Sequence, residues 1–369
     1  MPYQSANSRL AGLPEGTQIV EVVPWGASAW TQTARVTTEL PDGDIKEYFL
    51  KTCSSEIGPV MMEGEFTSLV TIKALMPDLV PQAYGWGQYS ADPGTYFLIM
   101  DFLDLIAELP DPTRFAELVS ELHRKGESPN GMFGFDVPTC HGKLAHANKW
   151  DSDWCRFFTN LVTETFEEDL KTNGPCPGYA EAFATLKAHV IPRLLQPLQA
   201  DGRTIVPRLV HGDLWEENVG TSVETGDPVL YDPSVIYAHH EYELGMWRRC
   251  VVFDQTYFRQ YLLRFPPSEP TEEWEDRNRL YALRYNLAHS LLWLGTTDET
   301  RITSVPERFH YTPMLISVQL VGRHVILEQQ VRARSRIDRL PLVAHFPSSS
   351  THDTIPDAPS PFPPTANHI

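Results

Sequence analysis

The amino-acid sequence predicts an α+β protein with two lobes, a small β-rich N-terminal lobe with one long helix and a larger, mainly helical C-terminal lobe. Three observations support this prediction: β-prone runs dominate the first hundred residues, helical periodicity dominates after about residue 112, and the stretch 207–234 interrupts the helices. We expect the lobes to span 1–103 and 104–344, followed by a tail over 345–369. A cleft between two such lobes is a natural place for a ligand.

The β-prone runs of the first lobe predict a sheet. They occupy 17–26, 34–40, 45–51 and 95–103. A Pro-Asp-Gly-Asp segment joins the second run to the third, which is typical of a hairpin. Apolar residues recur at three- and four-residue steps over 61–76, which predicts the long amphipathic helix, ending before Pro77.

The second lobe is predicted to consist mainly of helices. These are expected at 113–125, about 152–171, 179–199, 240–264, 272–295 and 312–340. The stretch 126–150 is rich in Gly, Pro and Asn, and a long irregular segment inside a folded region is often functional. The tail 345–369 is rich in Pro and Ser and poor in large apolar residues, so we expect it to be disordered.

Charge and cysteine content restrict the function classes. The 369 residues include 30 basic and 48 acidic ones, a formal charge of −18, which argues against nucleic acid and anionic membranes as partners. The five cysteines are scattered without metal-ligand spacing, so we expect reduced thiols and a cytoplasmic protein. We also expect no targeting or membrane segment, because no run of about 18 apolar residues occurs.

A constellation of acids and an amide within 207–234 indicates the chemistry. Asp213 follows a short apolar run, Asn218 comes five positions later, and Asp232 ends a second apolar run. Two short strands joined by a turn would bring these three side chains to one end of a hairpin. Phosphoryl transfer from a metal-bound nucleotide needs oxygen ligands for Mg²⁺ and a group that orients the acceptor hydroxyl. Asn218 and Asp232 suit the metal, and Asp213 suits the proton acceptor.

The N-terminal lobe should supply a lysine for the nucleotide phosphates and a glutamate that holds it. Lys51 ends an apolar strand, and both Glu63 and Glu65 lie early in the predicted helix. The residues alone leave the choice between these glutamates open. The turn around Gly26 and Ser28 could supply backbone N–H groups to phosphate oxygens, although an ordinary turn explains its composition equally well.

Six segments resemble known sequences, in the same order along the chain. They are YFLK (48–51), MMEGEFTSL (61–69), FGFDVPTCHG (133–142), NKWDSDWCRFF (148–158), HGDLWEENVG (211–220) and YDPSVIYAHHEYELG (231–245). Together they resemble the fructosamine kinases, also called ketosamine-3-kinases or protein-ribulosamine 3-kinases, of the aminoglycoside-phosphotransferase and protein-kinase-like superfamily. The resemblance covers roughly residues 15–340.

The resemblance implies a protein-kinase-like fold and an ATP-dependent kinase that uses Mg²⁺. Its acceptor would be the 3-hydroxyl of a ketosamine, free or protein-bound, and breakdown of the product would free the amine. It further implies that Asp213 is the catalytic aspartate, that Asn218 and Asp232 bind metal, and that Lys51 pairs with Glu65.

The resemblance also implies where the rest of the ligands bind. Asp101, Phe102 and Leu103 would form the adenine-binding connector, and Trp215 and the 148–154 segment, including Trp150, would lie near the sugar.

Two alternatives stay open. The first is a kinase of the same fold for another hydroxyl, on an aminoglycoside-like or choline-like amine. The second is a pseudokinase that binds nucleotide without turnover, although Lys51, Asp213, Asn218 and Asp232 are all present. The chain also departs from the family pattern at Glu216-Glu217, where the family has Ser-Gly, and it lacks the Gly-Gly-Phe segment after EYELG.

Overall fold

The computed structural model describes residues 12–26, 28–106, 108–146, 148–250 and 252–293, which all fall within one compact unit, Met1–Pro313. The strands are β1 (Gln18–Pro24), β2 (Gln32–Glu39), β3 (Ile45–Cys53), β4 (Ala83–Gln88), β5 (Tyr96–Asp101), β6 (Leu105–Ile106), β7 (Cys140–His141), β8 (Leu144–Ala145), β9 (Arg208–Val210), β10 (Val219–Ser222), β11 (Pro228–Leu230) and β12 (Ile236–Ala238). The helices are α1 (Gly58–Leu75), α2 (Pro112–Lys125), α3 (Trp154–Asn173), α4 (Tyr179–Thr185), α5 (Ile191–Leu195), α6 (Glu243–Arg249), α7 (Gln255–Arg264) and α8 (Trp274–Leu292).

The N-terminal lobe is a five-stranded antiparallel sheet in the order β1-β2-β3-β5-β4. One face buries its own small core, which includes Val36, Leu50 and Ile99. The helix α1 covers the other face with Met62, Leu69 and Ile72, three residues of the predicted apolar stripe. The sheet therefore holds β3 at its centre, with α1 packed across it.

The C-terminal lobe consists mainly of helices packed around aromatic side chains. Trp154 on α3, Trp247 on α6 and Tyr281 on α8 are all fully buried there. This arrangement confirms the predicted two-lobe α+β fold. None of the helices in the described ranges is long and apolar enough to cross a membrane.

The structure differs from the sequence prediction at the helix expected over 240–264 and at strand β4. The helix expected over 240–264 is divided into α6 and α7, because Asp254 caps the start of α7 by accepting a hydrogen bond from the Thr256 amide at 2.7 Å. Strand β4 was not predicted, since its sequence AYGWGQ has two glycines and no alternating pattern. The helix expected over 312–340 and the tail 345–369 lie outside the described residues.

The segment 207–234 pairs differently from the single hairpin that the sequence predicted. Strand β9, before Asp213, pairs with β12, whereas β10 pairs with β11 in a hairpin of its own. Asn218 immediately precedes β10, and Asp232 follows β11 by two residues, so both lie at the same end of that hairpin. The turn after β9 then brings Asp213 to them.

Candidate active site

Lys51 joins the two lobes through its ammonium group. Its Nζ donates to Glu65 Oε1 on α1 at 2.7 Å and to Asp232 Oδ1, beyond β11, at 2.5 Å. The Lys51 side chain is only 6% exposed and that of Glu65 14%, so this contact is shielded from water, whereas the contact with Asp232 lies at the solvent-facing side of the lysine. The structure therefore places Glu65 at the lysine, and Glu63 lies two positions earlier on the helix, roughly 200° around its axis.

Asp232 reaches Lys51 through an unusual backbone conformation. Its φ is +56°, a left-handed value that Asp adopts more readily than most residues with a side chain. The preceding Tyr231 amide donates to the Asn218 carbonyl at 3.1 Å, which fixes where the hairpin ends. The carboxylate is then turned toward the N-terminal lobe, with its side chain 45% exposed.

The turn His211-Gly212-Asp213 is held from behind by Glu243 at the start of α6. The His211 amide donates to Glu243 Oε2, and the Gly212 amide donates to Oε1 of the same carboxylate at 3.2 Å. Gly212 has a φ of +83°, and a Cβ there would lie 2.0 Å from the Ser234 carbonyl oxygen. Only glycine fits at this position, because the turn passes so close to the segment after Asp232.

Asp213 and Asn218 contact each other directly. The Asn218 side-chain Nδ2 donates to the Asp213 carbonyl oxygen at 2.8 Å and lies 3.3 Å from Asp213 Oδ2. Both residues are buried, at 9% and 5% exposure. The hydrogen bonds leave the amide oxygen of Asn218 as the atom available for a cation.

Burial and neighbouring charge shift the pKa values of this group. Burial, with the charge of Asp232, raises the pKa of Asp213 to about 7, and Arg284 partly opposes that rise. Burial likewise raises the pKa of Glu65, against the attraction of Lys51. Burial alone would lower the pKa of Lys51, but the charges of Asp232 and Glu65 outweigh it and the pKa is raised. Lys51 is therefore fully charged at neutral pH.

The structure adds two residues near Asp213 that the sequence did not single out. His141, at the end of β7, places its Nε2 3.3 Å from Asp213 Oδ1. Arg284 of α8 is fully buried and donates from Nη1 to His141 Nδ1 at 3.0 Å. Burial, and then the charge of Arg284, lowers the pKa of His141 well below its usual value, so the ring is neutral.

The predicted nucleotide-binding positions lie at the edge of the N-terminal lobe. Gly26 has a φ of +74°, and Ser28 Oγ accepts from the Thr31 amide at 3.1 Å, which stabilises the turn between β1 and β2. Asp101 accepts from the Tyr84 hydroxyl at 2.7 Å, so its carboxylate is engaged within the sheet. Phe102 packs edge-on against Trp25, with ring centroids 5.2 Å apart. This contact joins the β1–β2 turn to the segment Asp101–Leu103, in which Leu103 is partly exposed.

The two predicted sugar-site tryptophans occupy different places. Trp215 follows the turn that carries Asp213, and its amide donates to the Asp213 carbonyl at 3.1 Å. Trp150 donates from Nε1 to Asp136 at 3.2 Å and stacks on Tyr237, with centroids 5.8 Å apart. Those contacts hold Trp150 beside β12, and its role toward a sugar stays a prediction.

A second polar cluster, His239, His240 and Glu241, has the spacing of a metal site, but His239 and Glu241 are hydrogen-bonded to neighbouring side chains. His239 contacts Tyr281 and Ser268 through its two ring nitrogens, at 2.8 and 2.9 Å. Glu241 is paired with Arg277 through both carboxylate oxygens, at 2.8 Å each. These contacts give the cluster a structural role in packing α8 against the segment before α6.

The fold and this arrangement of residues define a phosphotransferase of the two-lobed kinase-like class. The chain belongs to the fructosamine kinase family, whose family model, Fructosamine kinase, matches residues 20–304. It is 30% identical over 247 residues to the chloroplastic protein-ribulosamine 3-kinase of Arabidopsis thaliana, covering 67% of this chain and 71% of the relative. The ketosamine-3-kinase of Mus musculus is 28% identical over 67% of this chain and 83% of its own length.

Solved structures share the fold. Two bacterial structures assigned as fructosamine-3-kinases, from Haemophilus somnus and Thermobifida fusca, have TM-scores of 0.62 and 0.60 at 18% and 23% identity. The alignments cover 78% and 79% of this chain and 89% and 92% of theirs. An aminoglycoside phosphotransferase, APH(4)-Ia, in a ternary complex with AMP-PNP and hygromycin B, has a TM-score of 0.51 at 14% identity, covering 78% of this chain and 94% of its own.

Proposed function

We propose that this protein is an ATP-dependent ketosamine 3-kinase. It transfers the γ-phosphoryl group of ATP to the 3-hydroxyl of ribulosamine or fructosamine adducts of lysine or another amine, and the phosphorylated product breaks down to free the amine. The observation that carries the proposal is the contact of one buried ammonium, Lys51, with both Glu65 and Asp232. Membership of the fructosamine kinase family supports the choice of acceptor.

Asp213 is the proton acceptor in this reaction. Its carboxylate takes the proton of the 3-hydroxyl while that oxygen forms a bond to the γ-phosphorus, and the bond from phosphorus to the β–γ bridging oxygen breaks to release ADP. The Glu243 carboxylate holds the backbone of the turn, so Asp213 has little freedom to move. Such a fixed base contributes about 10²–10⁴-fold to rates of this kind.

Lys51 binds the α- and β-phosphates. Its ammonium group is paired with two carboxylates, Glu65 on α1 and Asp232 beyond β11. When the triphosphate enters, Glu65 keeps the ammonium in place and the phosphate oxygens become further acceptors for it. The lysine and the catalytic turn then hold the nucleotide from opposite sides of the cleft.

Asn218 and Asp232 fit Mg²⁺ by their chemistry. Both offer oxygen atoms, and Mg²⁺ in nucleotide sites usually takes one or two protein oxygens together with phosphate and water. Asn218 is oriented for this by its own hydrogen bonds to Asp213. When bound, Mg²⁺ neutralises charge on the phosphates.

The acceptor assay tests this proposal. Purified protein is incubated with Mg·ATP and, separately, ribulosyl-lysine peptide, fructosyl-lysine peptide, an aminoglycoside and choline, and both ADP and the acceptor mass are followed. We expect a gain of one phosphoryl group on a ketosamine only. Turnover of the aminoglycoside or choline without turnover of either ketosamine would replace the proposal with a kinase for another hydroxyl. ATP binding with no turnover of any acceptor would indicate a pseudokinase.

Composition supports the proposal for the other partners and for the location. The formal charge of −18 favours a small or protein-bound cationic or neutral acceptor over nucleic acid or an anionic membrane surface. The five cysteines are free thiols, which suits a reducing, cytoplasmic setting.

A further inference from the structure

A buried cation, Arg284, lies near Asp213 and pairs with no carboxylate among the described residues. Arg284 on α8 is fully buried, and its Nε and Nη2 have no hydrogen-bond partner in the part of the chain that the structure describes. An unpaired buried charge is costly, so its position calls for an explanation. Its Nη1 donates to the ring of His141 at 3.0 Å.

The contact with Arg284 fixes the tautomer of His141. A guanidinium has only donors, so the His141 Nδ1 that receives its hydrogen bond must carry a lone pair. Because the ring is neutral, the proton resides on Nε2. That N–H faces Asp213 Oδ1 at 3.3 Å, and Oδ1 has no hydrogen bond from any other described residue.

We propose that His141 is a positioning residue for Asp213 and that Arg284 acts through it, by holding His141 in the Nε2–H form that donates to the Asp213 carboxylate. The proposal rests on the proposed function, because it assigns these residues to the orientation of its base. The separation of 3.3 Å is long for a hydrogen bond, and such contacts commonly shorten when substrate binds.

Orientation is the effect expected from this arrangement. The Asn218 amide nitrogen lies on the Oδ2 side of the carboxylate and His141 lies on the Oδ1 side, so donors hold both edges of the group. Loss of either donor lets the carboxylate rotate away from the acceptor hydroxyl, and a small misplacement of a reacting group can cost about 10²-fold in rate.

The first test reads the tautomer without any turnover. Full-length protein is labelled with [¹⁵N]histidine, and the His141 signals are assigned by their absence from the His141→Gln spectrum. We expect a protonated, pyrrole-like Nε2 and an unprotonated, pyridine-like Nδ1, and we expect Arg284→Met to disturb that pattern. A protonated Nδ1, or a spectrum unchanged by Arg284→Met, would overturn the proposal even if ketosamines prove not to be the acceptor.

The second test separates positioning from folding. With ribulosyl-lysine peptide as acceptor, His141→Leu should lower kcat by at least about 10-fold while the KM for ATP changes less than about 3-fold. His141→Gln, whose amide can still donate, should recover part of that loss. Arg284→Met should resemble His141→Leu, and the double variant should be no slower than His141→Leu alone, because Arg284 acts through the ring.

A neighbouring histidine supplies the control. His146 is buried in the same part of the chain, but its Nδ1 lies 3.4 Å from the hydroxyls of Thr139 and Ser234. His146→Leu should therefore keep kcat within about 3-fold, as a change that loosens packing without touching Asp213 would. Equal losses of kcat in His141→Leu and His141→Gln, at unchanged melting temperature, would overturn the positioning role.

Discussion

Lys51 and Asp232 are 181 residues apart in the sequence, and the structure places their side chains in contact, with Nζ 2.5 Å from Oδ1. The lysine comes from the centre of the N-terminal sheet, and the aspartate follows the β10–β11 hairpin of the C-terminal lobe. The contact therefore bridges the two lobes at the proposed nucleotide site. Bound Mg·ATP must either separate Lys51 from Asp232 or contact both of them, so substitution of either residue should change nucleotide binding.

The glutamate that holds Lys51 can be identified by comparing two substitutions on one helix. Glu65→Gln removes the carboxylate 2.7 Å from Lys51 Nζ, so we expect the KM for ATP to rise or kcat to fall by about 10-fold or more. Glu63→Gln, the matched control two positions earlier, should leave both within about 2-fold. Steady-state kinetics at varied ATP decide the matter. Equal effects of the two substitutions would contradict the pairing of Lys51 with Glu65.

The metal role of Asp232 predicts a specific loss of binding. Asp232→Ala should weaken Mg·ATP binding by at least about 10-fold in titration calorimetry, because one of two protein oxygen ligands is lost. Without Mg²⁺, the remaining weak ATP binding should change little or improve, since a carboxylate near the triphosphate is gone. Asp227→Ala, which removes an acid bonded to Arg114 at 2.8 Å on the same hairpin, is the control. Unchanged Mg·ATP affinity of Asp232→Ala would disprove the metal assignment.

The base role of Asp213 predicts lost turnover with retained nucleotide binding. Asp213→Asn keeps the size of the side chain but removes the proton acceptor, so kcat should fall by at least about 10²-fold. The affinity for Mg·ATP should stay within about 3-fold, because Lys51, Asn218 and Asp232 are intact. Single-turnover kinetics and calorimetry on the same preparation measure the two quantities. A variant with near-normal turnover would show that another group accepts the proton.

The turn His211-Gly212-Asp213 requires glycine at position 212 both for space and for backbone conformation. Gly212→Ala places a Cβ 2.0 Å from the Ser234 carbonyl oxygen in a residue with φ of +83°, so we expect a loss of at least about 3 kcal/mol in the free energy of unfolding. Gly226 also has a positive φ, +72°, but a Cβ at that position would meet no atom within 4 Å, so Gly226→Ala should cost only about 1 kcal/mol. Urea denaturation of both variants gives the comparison. Similar losses in the two would mean that the turn can move away from Ser234.

The thiol of Cys140 should react slowly at neutral pH. Burial, followed by the charges of Cys53 and Glu65, raises the pKa of Cys140 to about 12, so its thiolate is scarce and grows about tenfold with each unit of rising pH. Alkylation by iodoacetamide at pH 7.5, followed by peptide mass mapping, should be at least about 10²-fold slower than for the same cysteine in urea. Fast alkylation of the folded protein would contradict the raised pKa.

Much of the fold follows from local pattern. The apolar residues Met62, Leu69 and Ile72 predicted α1 and its buried face. A helix that packs on one side of a sheet carries apolar residues at regular helical spacing on that side. Strand β4 was missed because its two glycines and polar residues carry no alternation, and its neighbour β5 provides the pairing. The pairing of β9 with β12 was missed because each strand has only three residues, too few for a pattern that would indicate its partner.

Spacing and residue chemistry singled out Asp213, Asn218 and Asp232 in the sequence, and the structure brings Asp213 and Asn218 into contact and places Asn218 and Asp232 at one end of the β10–β11 hairpin. Glu65 could be chosen over Glu63 only through the family resemblance. Nothing in the sequence indicated a role for His141 or Arg284 near Asp213. A single arginine in a helical sequence, such as Arg284, is expected at the surface. Their contact depends on how α8 packs beside the β7–β8 hairpin, which no local pattern encodes.

The most direct test of the account is the position of the transferred phosphoryl group. Wild-type protein, Mg·ATP and a ribulosyl-lysine peptide labelled with ¹³C at C3 are followed by ³¹P and ¹³C NMR, with Asp213→Asn alongside. We predict a phosphate ester coupled to the labelled carbon, then release of the free lysine amine, and neither signal with the variant. A phosphate ester on a different carbon, or ADP formation with the peptide unchanged, would contradict it.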